Sequence, residues 1–233
     1  MKLALMQPYL FPYIGYFQLL SQVDRFVFYD DVNFIKNGWV NRNRIGLKNA
    51  PKYFTVPLSN ASSFQKIRDV AIASASDWRR KLGESIRHAY SRAPHFAAVS
   101  ALVQGVFETD TRHIGQLAKI SVRQVADYLD LSTQFIDSSA SYGNATLHGA
   151  QRVLDICRLE GATDYYNVPG GRALYEPATF AERGVRLHFI DPLPFEYAQS
   201  GPDFLPSLSI IDVLMYNDPA RVRGLLAHCA TAP

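Results

Sequence analysis

Two periods of apolar and polar residues alternate along this chain, and the switches between them mark the expected elements. Residues 2–6 form a short apolar run closed by Gln7-Pro8, and residues 25–29 (RFVFY) a second run of aromatic and β-branched type. Both are expected as buried strands, with a short helix over 14–22 between them. Strand, helix and strand within some thirty residues is the βαβ unit of a parallel sheet. Residues 53–58 (YFTVPL) are expected as a third strand and residues 67–73 as one at an edge. The middle then changes to helical spacing. Helices are expected over 78–92, capped by Ser76 or Asp77 and stopped at Ala93-Pro94, and over 95–107 and 114–129. Strands follow at 133–137, 164–166 and 187–190, with helices at 147–159 (ended by Gly161), 178–183, 207–216 and 219–229. The expected fold is therefore α/β, a Rossmann-like mostly parallel sheet flanked by helices, with a helical middle section. No linker or repeat divides the chain, so residues 1–233 are read as one domain.

Composition narrows the function classes. Nearly half of the residues are hydrophobic and under a fifth charged, so a packed core is expected. The net charge of +3 is mild and its cations are dispersed, so nucleic acid is not an expected partner. Cys157 and Cys229 have no CxxC spacing, which argues against a disulfide framework or a zinc cluster and fits a reducing cytoplasm. No metal site is expected. The first residues lack a long apolar region and a cleavage site, and no window reaches a membrane-spanning length.

Candidate chemistry concentrates between Gln7 and Arg44. Gln7, Tyr9 and Tyr13 lie in a turn with two prolines directly after the first strand, where ligands of open α/β sheets collect. Aromatic rings beside polar groups suit a flat base or a sugar. Asp30 and Asp31 follow the second strand at the same edge. Lys36, Asn41, Arg42 and Arg44 come next, three cations and an amide that suit a phosphorylated or carboxylated ligand. The plainer alternatives are core packing for the aromatics and an ordinary ion pair between Asp30 and Arg44.

Later candidates are less specific. Gly170-Gly171 follows a strand and allows positive φ and close backbone approach, but matches neither the P-loop nor the GxGxxG pattern. Asp212 stands alone in the apolar run SIIDVLM; it either caps or pairs with a buried cation, or faces a site. His148, at a helix start beside Asn144 and Thr146, is the best-placed histidine for catalysis, with a surface or capping role as the alternative.

The runs MQPYLFPYIGYFQLL, DRFVFYDDVNFIKNGWVNRNRI and YFTVPL closely resemble the WbqC-like family, and SDWRRKL, LDICRLEGATDYYN, GGRALY and FLPSLSIIDVLMYN do so in the same order. The resemblance implies a bacterial protein of surface-glycan biosynthesis, of O-antigen or capsule. It carries over Gln7, Asp30, Lys36, Asn41, Arg42 and Arg44 as site residues. Many members have His-Gln-Pro-Asn where this chain has Met6-Gln7-Pro8-Tyr9, so a histidine acid or base at position 6 is unavailable here. The favoured function is an enzyme that performs group transfer or amide-forming ligation on an activated sugar or related metabolite. Asp30 or Asp31 would act as general base, helped by His148, and Lys36, Arg42 and Arg44 would hold phosphate or carboxylate. A nucleotide or nucleotide-linked substrate fits this reading, and so does a homo-oligomer. The alternatives are a non-catalytic binding or scaffold protein of a glycan-assembly pathway, and a nucleic-acid binder.

Overall fold

The structure, a computed structural model, describes residues 1–74 and 77–232. Its main sheet contains β1 (Lys2–Met6), β2 (Arg25–Phe28), β5 (Gln134–Ile136), β6 (Asp164–Asn167), β7 (Arg186–Pro192) and β8 (Cys229–Ala232). The spatial order is β5-β2-β1-β6-β7-β8. All neighbours are parallel except β7 and β8. Numbered by their succession within the sheet, the strands run 3-2-1-4-5-6, the doubly wound Rossmann order. The direction of strand addition reverses between β1 and β6. This switch point leaves a crevice beyond their carboxyl ends.

Side-chain alternation distributes the strands between two cores. Leu3, Leu5, Val27, Tyr165, Leu187 and Phe189 pack against α5 (Gly149–Glu160) and α6 (Pro177–Ala181). Ala4, Phe26, Phe28, Tyr166 and Ile190 face the larger core built with α1 (Ile14–Ser21), α3 (Phe96–Glu108), α4 (Ile114–Tyr128), α7 (Ile210–Tyr216) and α8 (Pro219–Leu226). Strands covered on both faces read as continuous apolar runs, which is why β1 and β2 stand out in the sequence. The helical middle is α2 (Trp78–Tyr90), α3 and α4, with α3 packed between the other two.

Four expectations change. The third expected strand is β4 (Ala50–Thr55), and it does not enter the main sheet. It pairs with β3 (Arg42–Leu47) in a separate hairpin through Lys48 and Asn49, both at positive φ, the geometry of a type I′ turn. The charged stretch Arg42–Arg44 is thus strand. The edge strand over 67–73 is instead a 3₁₀ turn at Ile67–Asp69 followed by isolated bridges at Ala71 and Ile72. Residue Cys229 belongs to the antiparallel edge strand β8, not to the last helix. Asp77 occupies the N-cap of α2 without a side-chain cap bond; Ser76 lies outside the described residues.

Candidate functional site

The loop after β1 is fixed from several directions. Phe11 is fully buried at φ 43°, a left-handed conformation that is strained for an aromatic residue. Its N–H donates to Ser121 Oγ (3.0 Å), and its carbonyl accepts from Asn43 Nδ2 (2.8 Å) and Ser209 Oγ (2.7 Å). The Leu10 N–H donates to the Trp39 carbonyl (3.0 Å), and the Ile210 N–H to that of Pro12 (2.9 Å). Strain of about 1–3 kcal/mol persists only where surroundings over-determine it, as here. The result is a rigid presentation of Tyr9 and Tyr13. Gly15 is required for it: a Cβ there would lie 2.3 Å from the Tyr13 ring, which folds across the start of α1.

Tyr9, Tyr13, Trp39, Asn43, Arg44 and Ser207 line a cavity of about 300 Å³. The alternation of β3 turns Asn43 and Ile45 inward and leaves Arg42 and Arg44 half-buried on the other face. The Arg44 guanidinium lies 5.6 Å from the Trp39 ring, Trp39 stacks on Tyr53 at 6.2 Å, and Arg42 covers Tyr53 at 4.7 Å. Two stacked rings are therefore flanked by a cation at each end of an accessible ladder. Arg44 donates to the Ser207 carbonyl (3.0 Å) and Arg42 to that of Asn37. Among the described residues neither forms an ion pair, and the Nε of each is buried without a partner. A second cavity of about 270 Å³ shares Tyr13 and Ser207 with the first. Burial raises the Tyr9 and Tyr13 hydroxyls above their ordinary pKa, so both are donors at neutral pH.

The two carboxylates after β2 have a different environment. Asp30 is 1% exposed and Asp31 4%. Asp30 accepts from Ser138 Oγ (2.6 Å) and Lys119 Nζ (3.2 Å). Lys119 also reaches Asp137 at 3.0 Å. Asp31 accepts from Ser139 Oγ and from Arg152 Nη2 (2.6 Å), and Arg152 is fixed in turn by Asn144 Oδ1 (3.0 Å). Burial pushes the Asp31 pKa up, but bonds from Arg152 and Ser139 outweigh it and leave the carboxyl below its ordinary value. All four carboxylate oxygens are occupied from within. Asp30 pairs with Lys119 on α4, and not with Arg44.

The remaining candidates are dispersed. Lys36 is exposed. Asn41 donates to the Val56 carbonyl (2.9 Å) and holds the hairpin. Gln7 sits at the carboxyl end of β1, its carbonyl accepting from the Tyr16 hydroxyl (3.0 Å). Gly170 and Gly171 lie in a 3₁₀ turn, Pro169–Gly171, after the neighbouring strand β6. Neither uses the positive φ that glycine allows; Gly171 is needed for close approach, since a Cβ there would meet Asn167 at 2.5 Å. His148 is the exposed N-cap residue of α5 and makes no side-chain cap bond. Asp212 is buried, with no cation paired to it among the described residues. It accepts from Tyr90 (2.6 Å), Tyr197 (2.7 Å) and Gln199 (2.9 Å), and burial raises its pKa. Lys119 and Arg152 escaped the sequence reading. Their one signal was a charge on the buried face of an amphipathic helix.

Fold and site together define a doubly wound α/β protein with an aromatic and cationic groove at the carboxyl edge of its sheet. Comparison sharpens this: residues 7–224 match the WbqC-like protein family, to which this chain belongs. It is 30% identical over 232 residues, 98% of each chain, to the uncharacterized protein Rv1507c of Mycobacterium tuberculosis (strain ATCC 25618 / H37Rv). No solved structure gives a significant match. Among the described residues no helix is long and apolar enough to cross a membrane, and no group of three or more His, Cys, Asp or Glu is placed to hold a metal ion.

Proposed function

We propose that this chain is an enzyme of bacterial surface-polysaccharide biosynthesis, of O-antigen or capsule, that binds an anionic, ring-bearing metabolite in the Tyr9–Arg44 groove. A nucleotide-linked sugar is the favoured ligand, and group transfer or amide-forming ligation the favoured reaction. The observation that carries the reading is the groove itself, with Tyr9, Tyr13 and Trp39 as ring faces beside an Arg44 that has no acidic partner among the described residues. A guanidinium with stacking faces beside it suits a phosphate or carboxylate next to a planar or pyranose ring. The glycan context rests on the family alone.

Within this reading, Arg44 holds the anion, the rings orient the ligand, and the Tyr9 and Tyr13 hydroxyls donate to it. Asp30 and Asp31 anchor the loops after β2 and β5, because each carboxylate is already met by a cation and a hydroxyl. The carboxylate base expected from the sequence therefore has no place in the proposal, and the attacking group loses its proton to the substrate.

The test is a screen of nucleotides, nucleotide sugars, and acyl and aminoacyl donors by thermal shift and tryptophan fluorescence. Trp39 lines the groove and the other tryptophan, Trp78, is buried, so a Trp78→Phe background reports on the site. Stabilisation by one class of compound, lost in Arg44→Ala, is the expected result. No binding by any class, together with unchanged surface glycan in cells carrying Arg44→Ala, would overturn the reading and favour a scaffold role.

A further inference from the structure

We infer that the groove takes a ligand of two parts, an anionic ring-bearing head against Trp39 and Arg44 and an aliphatic or acyl segment in the adjoining chamber. This rests on the ligand-binding reading above and specifies its substrate class.

Four observations support it. The first is continuity: Tyr13 and Ser207 line both cavities, so a molecule in one can pass into the other. The second is chemical contrast. The second chamber is walled by Ile14, Leu193, Phe195, Phe204, Leu208 and Val213 and has no charged side chain in its lining. Tyr197 also lines it, but its hydroxyl is turned to Asp212 (2.7 Å), so its ring is what remains for the chamber, flanked by Phe195 and Phe204. The third is size: at about 270 and 300 Å³ each chamber is at or below the lower limit of small-molecule sites, roughly 300–1,000 Å³, whereas the pair falls within it.

The fourth observation is that the wall is built and not a loop free to collapse. Gln199 donates to the Leu205 carbonyl (3.1 Å) and accepts from the Leu205 N–H (2.8 Å), and it is itself held by the buried Asp212 (2.9 Å). Pro192, Pro194 and Pro206 restrict the backbone on either side. Ser207, at φ 56°, turns the chain at the boundary between the chambers. The Asp212 cluster, which touches neither Arg44 nor the head chamber's rings, thereby acquires a role: it holds the apolar chamber open.

The test uses the full chain in the Trp78→Phe background and a series of probes: uridine monophosphate for the head chamber alone, and ethyl, butyl, hexyl and octyl phosphate below their micelle-forming concentrations. Trp39 fluorescence and calorimetry give Kd. Affinity is expected to rise with chain length by up to about fourfold per buried methylene, then level off when the chamber is full. Leu193→Glu, at a position 39% exposed and so tolerant of charge, is expected to abolish the chain-length gain while leaving uridine monophosphate binding unchanged. Phe204→Ala, which enlarges the chamber, is expected to move the plateau to longer chains. Arg44→Ala is expected to weaken every probe. Binding of uridine monophosphate with no chain-length dependence, or a gain that survives Leu193→Glu, overturns the two-part ligand and leaves the site reading intact. Failure of every probe overturns the two-part ligand, and overturns the site reading as well when the wider screen above also finds no binding and Arg44→Ala leaves the surface glycan unchanged.

Discussion

Two clusters of charge sit at the same end of the sheet and are built on opposite terms. Around Asp30 and Asp31 each carboxylate is buried and meets a cation and a hydroxyl: Lys119 with Ser138, Arg152 with Ser139. Around Trp39, Arg42 and Arg44 have no acidic partner among the described residues and lie against aromatic faces that stay accessible. A carboxylate already met by a cation and a hydroxyl has less to offer a ligand than a charge without an acidic partner. An unsaturated one, held rigidly beside a cavity, has both charge and hydrogen-bonding capacity in reserve. The sequence shows the two clusters as one block, and saturation, which depends on residues a hundred positions away, is what separates them.

The largest expected effect breaks the saturated cluster. Arg152→Leu leaves the Asp31 carboxylate buried without its cation, a loss that destabilises by about 3–5 kcal/mol. Urea unfolding reads it directly. A loss near 1 kcal/mol or less would mean that Asp31 is better solvated than its environment indicates, and would restore it as a candidate base. The unsaturated cluster is expected to respond the other way. Arg44→Ala removes a charged hydrogen-bond donor worth about 1.5–3 kcal/mol, so binding of the groove ligand weakens by about tenfold to a hundredfold while the urea midpoint barely moves. Equal losses of stability and affinity would erase the distinction between the clusters.

How much of this was legible in the sequence depends on the range of the interaction involved. The strands β1 and β2 and the helix α1 between them come out within a residue of their observed bounds, because their signals are local: apolar runs closed by Gln7-Pro8 and Asp30-Asp31. The hairpin was misread because Arg42–Arg44 looks like a polar loop. Yet the inward Asn43 and Ile45 against the outward Arg42 and Arg44 already carried the strand period. β8 was hidden because a four-residue antiparallel edge strand with half-exposed side chains has almost no pattern. Tyr9, Tyr13 and Arg44 were identified and do line one cavity. The Lys119 and Arg152 partnerships were out of reach, since they join positions 89 and 121 residues apart.

Trp39 sharpens the comparison on a smaller scale. It is 36% exposed and stacks on Tyr53, so Trp39→Ala is expected to change stability by no more than about 0.5 kcal/mol. Loss of a ring face is expected to weaken the ligand by about 1 kcal/mol, or roughly fivefold in Kd. Trp39→Phe retains a face and should recover most of this. If Trp39→Phe is as weak as Trp39→Ala, the indole N–H and not the ring recognises the ligand.

The smallest effect comes from pH, where Asp31 and the buried Asp212 have opposite signs. Asp31 is held below its ordinary pKa in the folded protein. Its contribution to stability is therefore present above the unfolded value of about 3.9 and is lost as pH falls through the lower, folded value. Asp212 is raised, with burial outweighing the hydrogen bonds from Tyr90, Tyr197 and Gln199. Its folded form favours the proton, so its contribution is full below about pH 3.9 and is lost as pH rises through the folded pKa. Asp212→Asn keeps a polar group in place and cannot ionise. It should remove that loss on the rising side, flattening the stability profile above about pH 4, while the acid limb set by Asp31 remains. Urea midpoints across that range decide the matter. A profile unchanged by Asp212→Asn would mean that the hydrogen bonds from Tyr90, Tyr197 and Gln199 stabilise the carboxylate as well as water does, and that the wall of the apolar chamber is held by an ion at neutral pH.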